Sequence, residues 1–366
     1  MPLSRFKPDD YPQLLAEKTQ RLTALLAPFY HKPLTVYASP PQGFRMRAEF
    51  RFWHEGDGGD YVMFRQSEPD KPVVIRDFPI AHQRINSLMQ SLRQAILAND
   101  ILKRKLFQVE FLATLKGDCL VTLIYHRPLD AQWQARAEQL QDELGCSIIG
   151  RSRKQKLMLS RDYVNETLTV NGRLLHYRQV EGSFTQPNAC INQDMLAWAQ
   201  SVTPQQPDQD MLELYCGNGN FTVALAPAFR KVLATEISKS AVKAADHNFA
   251  GNGIENVNIL RMSSEELTSA LQGERVFRRL EAQDIRLDDY RFSTVLVDPP
   301  RAGLDPATLS LVADFERIVY ISCNPETLTA NLSTLCKSHD IARAALFDQF
   351  PYTDHIETGV LLVKKR

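Results

Sequence analysis

From residue 211 to the end of the chain, short apolar runs alternate with helical stretches. Met211-Leu-Glu-Leu-Tyr215, Val232-Leu-Ala-Thr-Glu236 and residues 258–261, 294–297, 318–322 and 360–363 have strand character, while 193–201, 221–228 and 240–252 carry a helical period. Strands joined through helices can run parallel, so this half is expected to be α/β, a Rossmann-like doubly wound and mostly parallel sheet. Such sheets bind ligands beyond the carboxyl ends of their strands. Here those ends are Cys216-Gly-Asn-Gly-Asn220, Glu236, Asp298-Pro-Pro-Arg301 and Ser322-Cys-Asn-Pro325.

The first half has a different character. After an amphipathic helix over 13–26, Phe44-Arg-Met-Arg-Ala-Glu-Phe-Arg-Phe-Trp53 alternates strictly, the period of a half-buried strand. One face takes Phe44, Met46, Ala48, Phe50 and Phe52; the other takes Arg45, Arg47, Glu49, Arg51 and Trp53. A turn over 54–60, a helix over 80–98, a hairpin turned at Lys116-Gly-Asp118 and a helix over 130–144 complete an α+β region. The pattern changes at 178–188, which divides the chain into residues 1–180, with room for two subdomains, and residues 181–366.

The net charge is zero, yet residues 1–180 hold 26 Lys and Arg against 19 Asp and Glu, and residues 181–366 hold 17 against 24. A basic region joined to a more acidic one suits a polyanion-binding module beside a chemical domain. Arg45, Arg47 and Arg51, with flat apolar surfaces at Phe107 and Trp53 on which an unstacked base can lie, point to RNA. Six cysteines without a CxxC pair give neither zinc nor iron-sulfur spacing, so no metal is expected. No apolar stretch reaches the roughly 18 residues that suggest a membrane span, and the start lacks the apolar core of a secretion signal. The expected location is cytoplasmic, with no membrane partner.

Two glycines after a strand, Gly217 and Gly219, let the backbone turn sharply and a ligand approach closely. The third glycine of the dinucleotide fingerprint is missing, which leaves no seat for a pyrophosphate. Glu236 closes the next strand, where a carboxylate can accept both ribose hydroxyls. A phosphate-free nucleoside such as S-adenosylmethionine suits this turn better than NAD. Cys323 lies where a strand opens into a loop, the place for a presented thiol. Uracil C5 is a poor nucleophile; a thiolate added to C6 makes the ring an enolate whose C5 can attack a methyl group. A base must then remove the C5 proton. Glu357 is the best candidate, with Asp354 and His355 as competitors.

Ser183-Phe-Thr-Gln-Pro-Asn188, Leu212-Glu-Leu-Tyr-Cys-Gly-Asn-Gly-Asn-Phe221, Val297-Asp-Pro-Pro-Arg301, Ile321-Ser-Cys-Asn-Pro325 and His355-Ile-Glu-Thr-Gly359, in this order, resemble the motif set of the RNA uracil-C5 methyltransferases, and the tRNA members most of all. The resemblance covers essentially the whole chain. It implies S-adenosylmethionine as cofactor, a T-loop uridine of tRNA as substrate, Cys323 as nucleophile and Glu357 as base. It also implies Gln186, Tyr215, Asn220, Glu236 and Asp298 around the cofactor, within a methyltransferase sheet preceded by an RNA-binding region. Ribosomal RNA members carry an extra OB-like domain or a four-cysteine cluster, and neither is present here. The alternatives are action on ribosomal or other T-loop-like RNA, or a non-catalytic RNA-binding protein. A DNA cytosine methyltransferase would place Pro before the nucleophile, where Ser322 stands. An amino-group methyltransferase would place an aromatic ring after Asp-Pro-Pro, where Arg301 stands. A nicotinamide oxidoreductase lacks its fingerprint.

Overall fold

The computed structural model describes residues 5–65, 68–273, 275 and 277–366. Residues 1–4, the beginning of the stretch that lacks a leader's apolar core, lie outside them.

The strands, in chain order, are β1 (Thr35–Tyr37), β2 (Arg47–Glu55), β3 (Gly58–Arg65), β4 (Glu68–Val74), β5 (Leu106–Ala113), β6 (Cys119–Tyr125), β7 (Ser147–Ser152) and β8 (Gln155–Met158). They are followed by β9 (Tyr163–Val170), β10 (Arg173–Val180), β11 (Gln206–Leu214), β12 (Phe229–Thr235), β13 (Val257–Leu260), β14 (Phe292–Val297), β15 (Arg317–Ser322), β16 (His339–Phe347) and β17 (Glu357–Lys364). Seven strands form one sheet in the order β4-β3-β2-β5-β6-β7-β8, β9 and β10 form an antiparallel ribbon, and eight form a second sheet in the order β1-β16-β17-β15-β14-β11-β12-β13.

In the first sheet the expected alternation of β2 is seen directly. Phe44, Met46, Ala48, Phe50 and Phe52 are all buried, most of them in a core built with the helices Gln83–Leu97 and Ala131–Leu144. The opposite face of β2 leaves Glu49, Arg51 and Trp53 exposed. The strand begins at Arg47 rather than at Phe44, because Arg45 instead makes isolated bridges to Ala81 and Asn188. β4, with Pro72 inside it, escapes a propensity reading. Its place at the sheet edge explains how a proline is tolerated there.

The eight-stranded sheet is the expected α/β half. β11, β12, β13, β14 and β15 run parallel, and helices cover both faces. One face buries Trp198, Phe221 and Phe249; the other buries Leu328, Leu332 and Leu335. β17 is antiparallel to both β15 and β16, its neighbours. It starts at Glu357, three residues before the apolar run that marks it in the sequence. Glu357, Thr358 and Gly359 are buried strand residues without a periodic signature.

Three segments of the first half, β1, the helix Tyr11–Leu26 and the β9–β10 ribbon, pack with the second. β1 adds to the edge of the eight-stranded sheet, parallel to β16, and Leu22 and Leu26 of the helix Tyr11–Leu26 join the core of Leu328 and Leu332. The ribbon is tied to the helix Lys239–Gly251: Asn248 Oδ1 accepts from the Arg178 N–H (2.6 Å), and Asn252 pairs with both the N–H (2.9 Å) and the carbonyl (2.7 Å) of His176. These amides cover the open edge of β10 as a further strand would.

The packing of β17 is tight at Gly359, where a Cβ would meet Trp198 Cζ3 at 2.7 Å and Phe347 Cε2 at 2.9 Å. Gly359→Ala is expected to cost ~1–3 kcal/mol through overpacking, seen as a lower urea midpoint at unchanged slope. An unchanged midpoint would mean that this layer relaxes freely.

Candidate active site

The carboxyl ends of the central strands open into one cavity of about 670 Å³, a size suited to a small-molecule cofactor. Its wall is built from four strand ends. After β11 the chain enters Tyr215 at φ 63° and Gly217 at φ 58°. No atom lies within 4 Å of the Cβ position of Gly217, so that backbone is open toward the cavity. Its N–H donates to Glu236 Oε2 (3.0 Å), while Glu236 Oε1 accepts from the Ser238 N–H (2.7 Å). A carboxylate has about four acceptor sites, so two stay free for hydroxyl donors. Gln179 Oε1, also on the cavity wall, is buried without a partner among the described residues. An open glycine turn, a half-used carboxylate and an orphaned acceptor fit a ribose-bearing ligand.

Cys323 stands between the end of β15 and the helix Pro325–Leu335. Asn324 caps that helix by accepting from the Glu326 N–H (3.2 Å), and its Nδ2 donates to the Arg301 carbonyl (3.0 Å). Thr327 Oγ1 donates to the same carbonyl at 3.2 Å. The Asp-Pro-Pro-Arg loop is thereby fastened to the cysteine loop.

The register of β15 with β17 pairs Ile321 with Gly359 and Ser322 with Thr358. Cys323 and Glu357 come immediately after and before these last paired residues, at the adjoining ends of the two strands. Both side chains line the cavity, together with Asp298, Arg301, Phe350 and His355.

Burial dominates the electrostatics. It raises the Glu357 carboxyl well above its ordinary range, with the negative charge of Asp298 adding to the effect, and it pushes Asp298 up to about 7. The Cys323 thiol is pushed up to about 11 by burial and then by Glu357 and Asp298, while Arg301 acts in the opposite direction. Beneath the glycine turn, Glu213 is raised to about 8 by burial. Of the competitors for the base, Asp354 is exposed and paired with Arg5 (2.9 Å), away from the buried wall. His355 lines the cavity, and burial with nearby Arg301 lowers its pKa.

A family model described as tRNA (Uracil-5-)-methyltransferase matches residues 10–365. The tRNA/tmRNA (uracil-C(5))-methyltransferase of Stutzerimonas stutzeri is 54% identical over 365 residues, covering 100% of both chains. That of Pseudomonas entomophila is 55% identical over 360 residues, covering 98% of this chain and 99% of the relative. The chain belongs to the tRNA (uracil-5-)-methyltransferase family. Its fold is shared with the crystal structure of Pyrococcus abyssi tRNA (uracil-54, C5)-methyltransferase in complex with S-adenosyl-L-homocysteine, at TM-score 0.72 and 22% identity over 96% of this chain and 83% of that one.

In this methyltransferase, Gln186, Tyr215, Gly217, Asn220, Glu236, Asp298, Cys323 and Glu357 all line the one cavity. Gly219 does not. It precedes the helix Asn220–Leu225 at φ 79°, and its missing Cβ makes room for Phe249, whose Cε1 would lie 2.6 Å away. Asn220 is held by a reciprocal amide pair with Asn192 (2.8 and 2.9 Å), and the Tyr215 hydroxyl meets Ser264 Oγ at 2.6 Å. Asn192 and Gln179 went unmarked in the sequence because each sits in an otherwise structural segment.

The three arginines of the 44–53 stretch separate in the structure. Arg45 donates through Nε to the Arg47 carbonyl (2.8 Å) and Arg47 through Nη2 to the Ser183 carbonyl (2.9 Å), both partly buried at the cavity side of β2. Arg51 is exposed and lies 3.9 Å over the Phe107 ring, which stacks on His126 at 4.0 Å. These three residues line a surface hollow of about 350 Å³ with Trp53 and Lys105. Among the described residues no cluster could hold a metal and no helix is long and apolar enough to cross a membrane.

A thiol raised to about 11 is protonated at neutral pH, so Cys323 alkylation should accelerate with rising pH beyond 9. Arg301→Gln removes the cation that favours the thiolate. The rising limb then moves to higher pH, with a loss at fixed pH on the order of tenfold or less. Iodoacetamide labelling followed by peptide mass analysis measures this directly. A limb centred below pH 8, or one indifferent to Arg301, would contradict the electrostatic reading.

Proposed function

We propose that this enzyme methylates C5 of a uridine in the T loop of tRNA, with S-adenosylmethionine as methyl donor and a covalent adduct between Cys323 and C6 of the base. The observation that carries the reading is the meeting of Cys323 and Glu357, at adjoining ends of the paired strands β15 and β17, on the wall of the cavity holding the glycine turn and Glu236. The relatives' names supply the substrate class, tRNA and tmRNA. Action on a ribosomal T-loop mimic is an outcome of the substrate test.

The cofactor would lie along Gly217 and Glu236, with Gln186, Tyr215, Asn220 and Asp298 around it; bound there, it supplies the methyl group. The Cys323 thiol gives up its proton to solvent, and its sulfur forms a bond to C6 as the C5–C6 double bond becomes an enolate. After C5 has gained the methyl group, Glu357, ionised by loss of its own proton to solvent, accepts the C5 proton. The C5–C6 double bond re-forms and the sulfur leaves with its electron pair. Asp298 and Arg301 line the same wall, and the Arg301 carbonyl is held in place by Asn324 and Thr327.

A base inside a folded T arm cannot reach a thiol on the wall of a cavity, so the uridine must swing out. Residues 1–180 would supply the RNA-binding region and residues 181–366 the chemistry. The open face of β2 is a path between them. It begins at Arg47, whose guanidinium touches Ser183 on the cavity wall, and passes outward to Arg51, Trp53 and the Phe107–His126 stack. Arg51 and Lys105 suit phosphates there, and Phe107 suits a base face. Arg45 and Arg47 act closer to the cavity, where their partial burial leaves them fewer contacts with a polyanion.

Unmodified tRNA with isotopically labelled S-adenosylmethionine is expected to give 5-methyluridine at one T-loop site. Cys323→Ala should abolish transfer while calorimetric cofactor binding stays near normal. Label on cytosine, or on an exocyclic amine, would overturn the assignment. Glu357→Gln is expected to accumulate an RNA-protein adduct that survives denaturation, because the proton at C5 then has no acceptor. Free turnover by that variant would give the base role to another group.

A further inference from the structure

The helix Tyr11–Leu26 precedes the whole seven-stranded sheet in sequence, yet its polar side chains reach both the start of the helix that follows Cys323 and the loop that leads into Glu357. Arg21 Nη2 forms an ion pair with Glu326, three residues beyond Cys323, and Arg21 Nη1 donates to the carbonyl of Asp354, three residues before Glu357 (3.1 Å). One turn earlier, Lys18 Nζ donates to Asp348 Oδ1 at 2.7 Å and to the Phe350 carbonyl at 2.8 Å. Phe350 itself lines the cavity. The backbone of the helix is anchored independently, through Leu22 and Leu26 in the core shared with Leu328 and Leu332.

We propose that Arg21 is a positioning residue that ties the nucleophile loop to the base loop, and so sets where Glu357 stands relative to the adduct carried by Cys323. Given Cys323 as nucleophile and Glu357 as base, the reading on which this inference rests, the two groups must act in succession on neighbouring carbons of one ring. The β15–β17 register ends at Ser322 and Thr358, and Glu357 is paired only on its other side, with Phe347 of β16, so nothing in that register joins the Glu357 end to the Cys323 loop. Beyond those residues the Cys323 side departs into the helix Pro325–Leu335, and on the Glu357 side an irregular stretch from Asp348 to Ile356 leads in from β16. One planar guanidinium holds both departures with a fork that a lysine ammonium cannot reproduce. Lys18 holds the far end of the same stretch. The Arg21 and Glu326 side chains are about half exposed, at 44% and 54%, and a pair so exposed contributes little to stability. The geometry of the loops, rather than the fold, is what its removal would change.

The test compares wild type, Arg21→Ala, Arg21→Lys and Glu326→Gln, with Glu357→Gln and Cys323→Ala as references, on unmodified T-arm RNA. Arg21→Ala is expected to lower kcat roughly tenfold to a hundredfold, the scale for a reacting group displaced by about an ångström. KM for S-adenosylmethionine should stay within about twofold, as for a change confined to the transition state. A denaturing gel should show covalent adduct accumulating during turnover, as in Glu357→Gln and unlike wild type. Arg21→Lys should recover part of the rate, and Glu326→Gln, which opens the bridge from its other end, should show the same split and serves if Arg21→Ala does not fold. Wild-type kcat and adduct level in both Arg21→Ala and Glu326→Gln would overturn the inference. A loss of kcat without adduct would also overturn it, because addition rather than proton removal would then have been impaired. If Glu357→Gln itself holds no adduct, the catalytic reading fails first and the positioning role falls with it.

Discussion

The antiparallel pairing of β17 with β15 is the contact on which this site depends. A wholly parallel sheet would offer only carboxyl ends at the cavity. A strand entering in reverse brings its amino end there, and so brings Glu357 beside the loop that begins at Cys323. Because strand side chains alternate, a register slip of one residue would turn Glu357 to the other face of the sheet. Gly359 wedged against Trp198 and Phe347 and the buried Thr358 resist such a slip.

The same burial that fixes the geometry sets the reactivity. Cys323, Asp298 and Glu357 are all held toward their protonated forms. A resting thiol resists oxidation and stray alkylation, and a neutral Glu357 does not repel a thiolate forming beside it. On the proposed mechanism the cost is that Cys323 and Glu357 must each lose a proton before they act. Arg301 and the amino end of the helix Pro325–Leu335 favour the charged sulfur at that point. The Arg301 carbonyl, fastened to Asn324 and Thr327, keeps this cationic loop in place.

Much of this was legible in the sequence wherever chemistry and periodicity coincide. The glycine turn, Glu236, Asp298 and Cys323 each follow an apolar run, and the alternating β2 pattern predicts its buried face residue by residue. Glu357 was legible as an acid near the last strand, though its place inside that strand was not, because the register is a long-range pairing. Gly219 shares its motif with Gly217 but serves the packing of Phe249. The role of the N-terminal helix was hidden for the same reason: Lys18 and Asp348 are 330 residues apart. Arg45 and Arg47 share a period with Arg51, and only the neighbouring Ser183 segment and the Arg47 carbonyl explain why they are partly buried.

In the proposed reaction one sulfur, that of Cys323, bonds to the pyrimidine while its neighbouring carbon takes a methyl group. A T-arm RNA with 5-fluorouridine at the target position isolates that step, since the proposed base, Glu357, would remove a proton from C5 but no base can remove fluorine as a cation. After incubation with S-adenosylmethionine, proteolysis and mass analysis, the account predicts a single modified peptide, the one containing Cys323, carrying a nucleotide that has gained a methyl group and kept its fluorine. An adduct on any other residue, or fluorinated RNA released methylated and unbound, would contradict it.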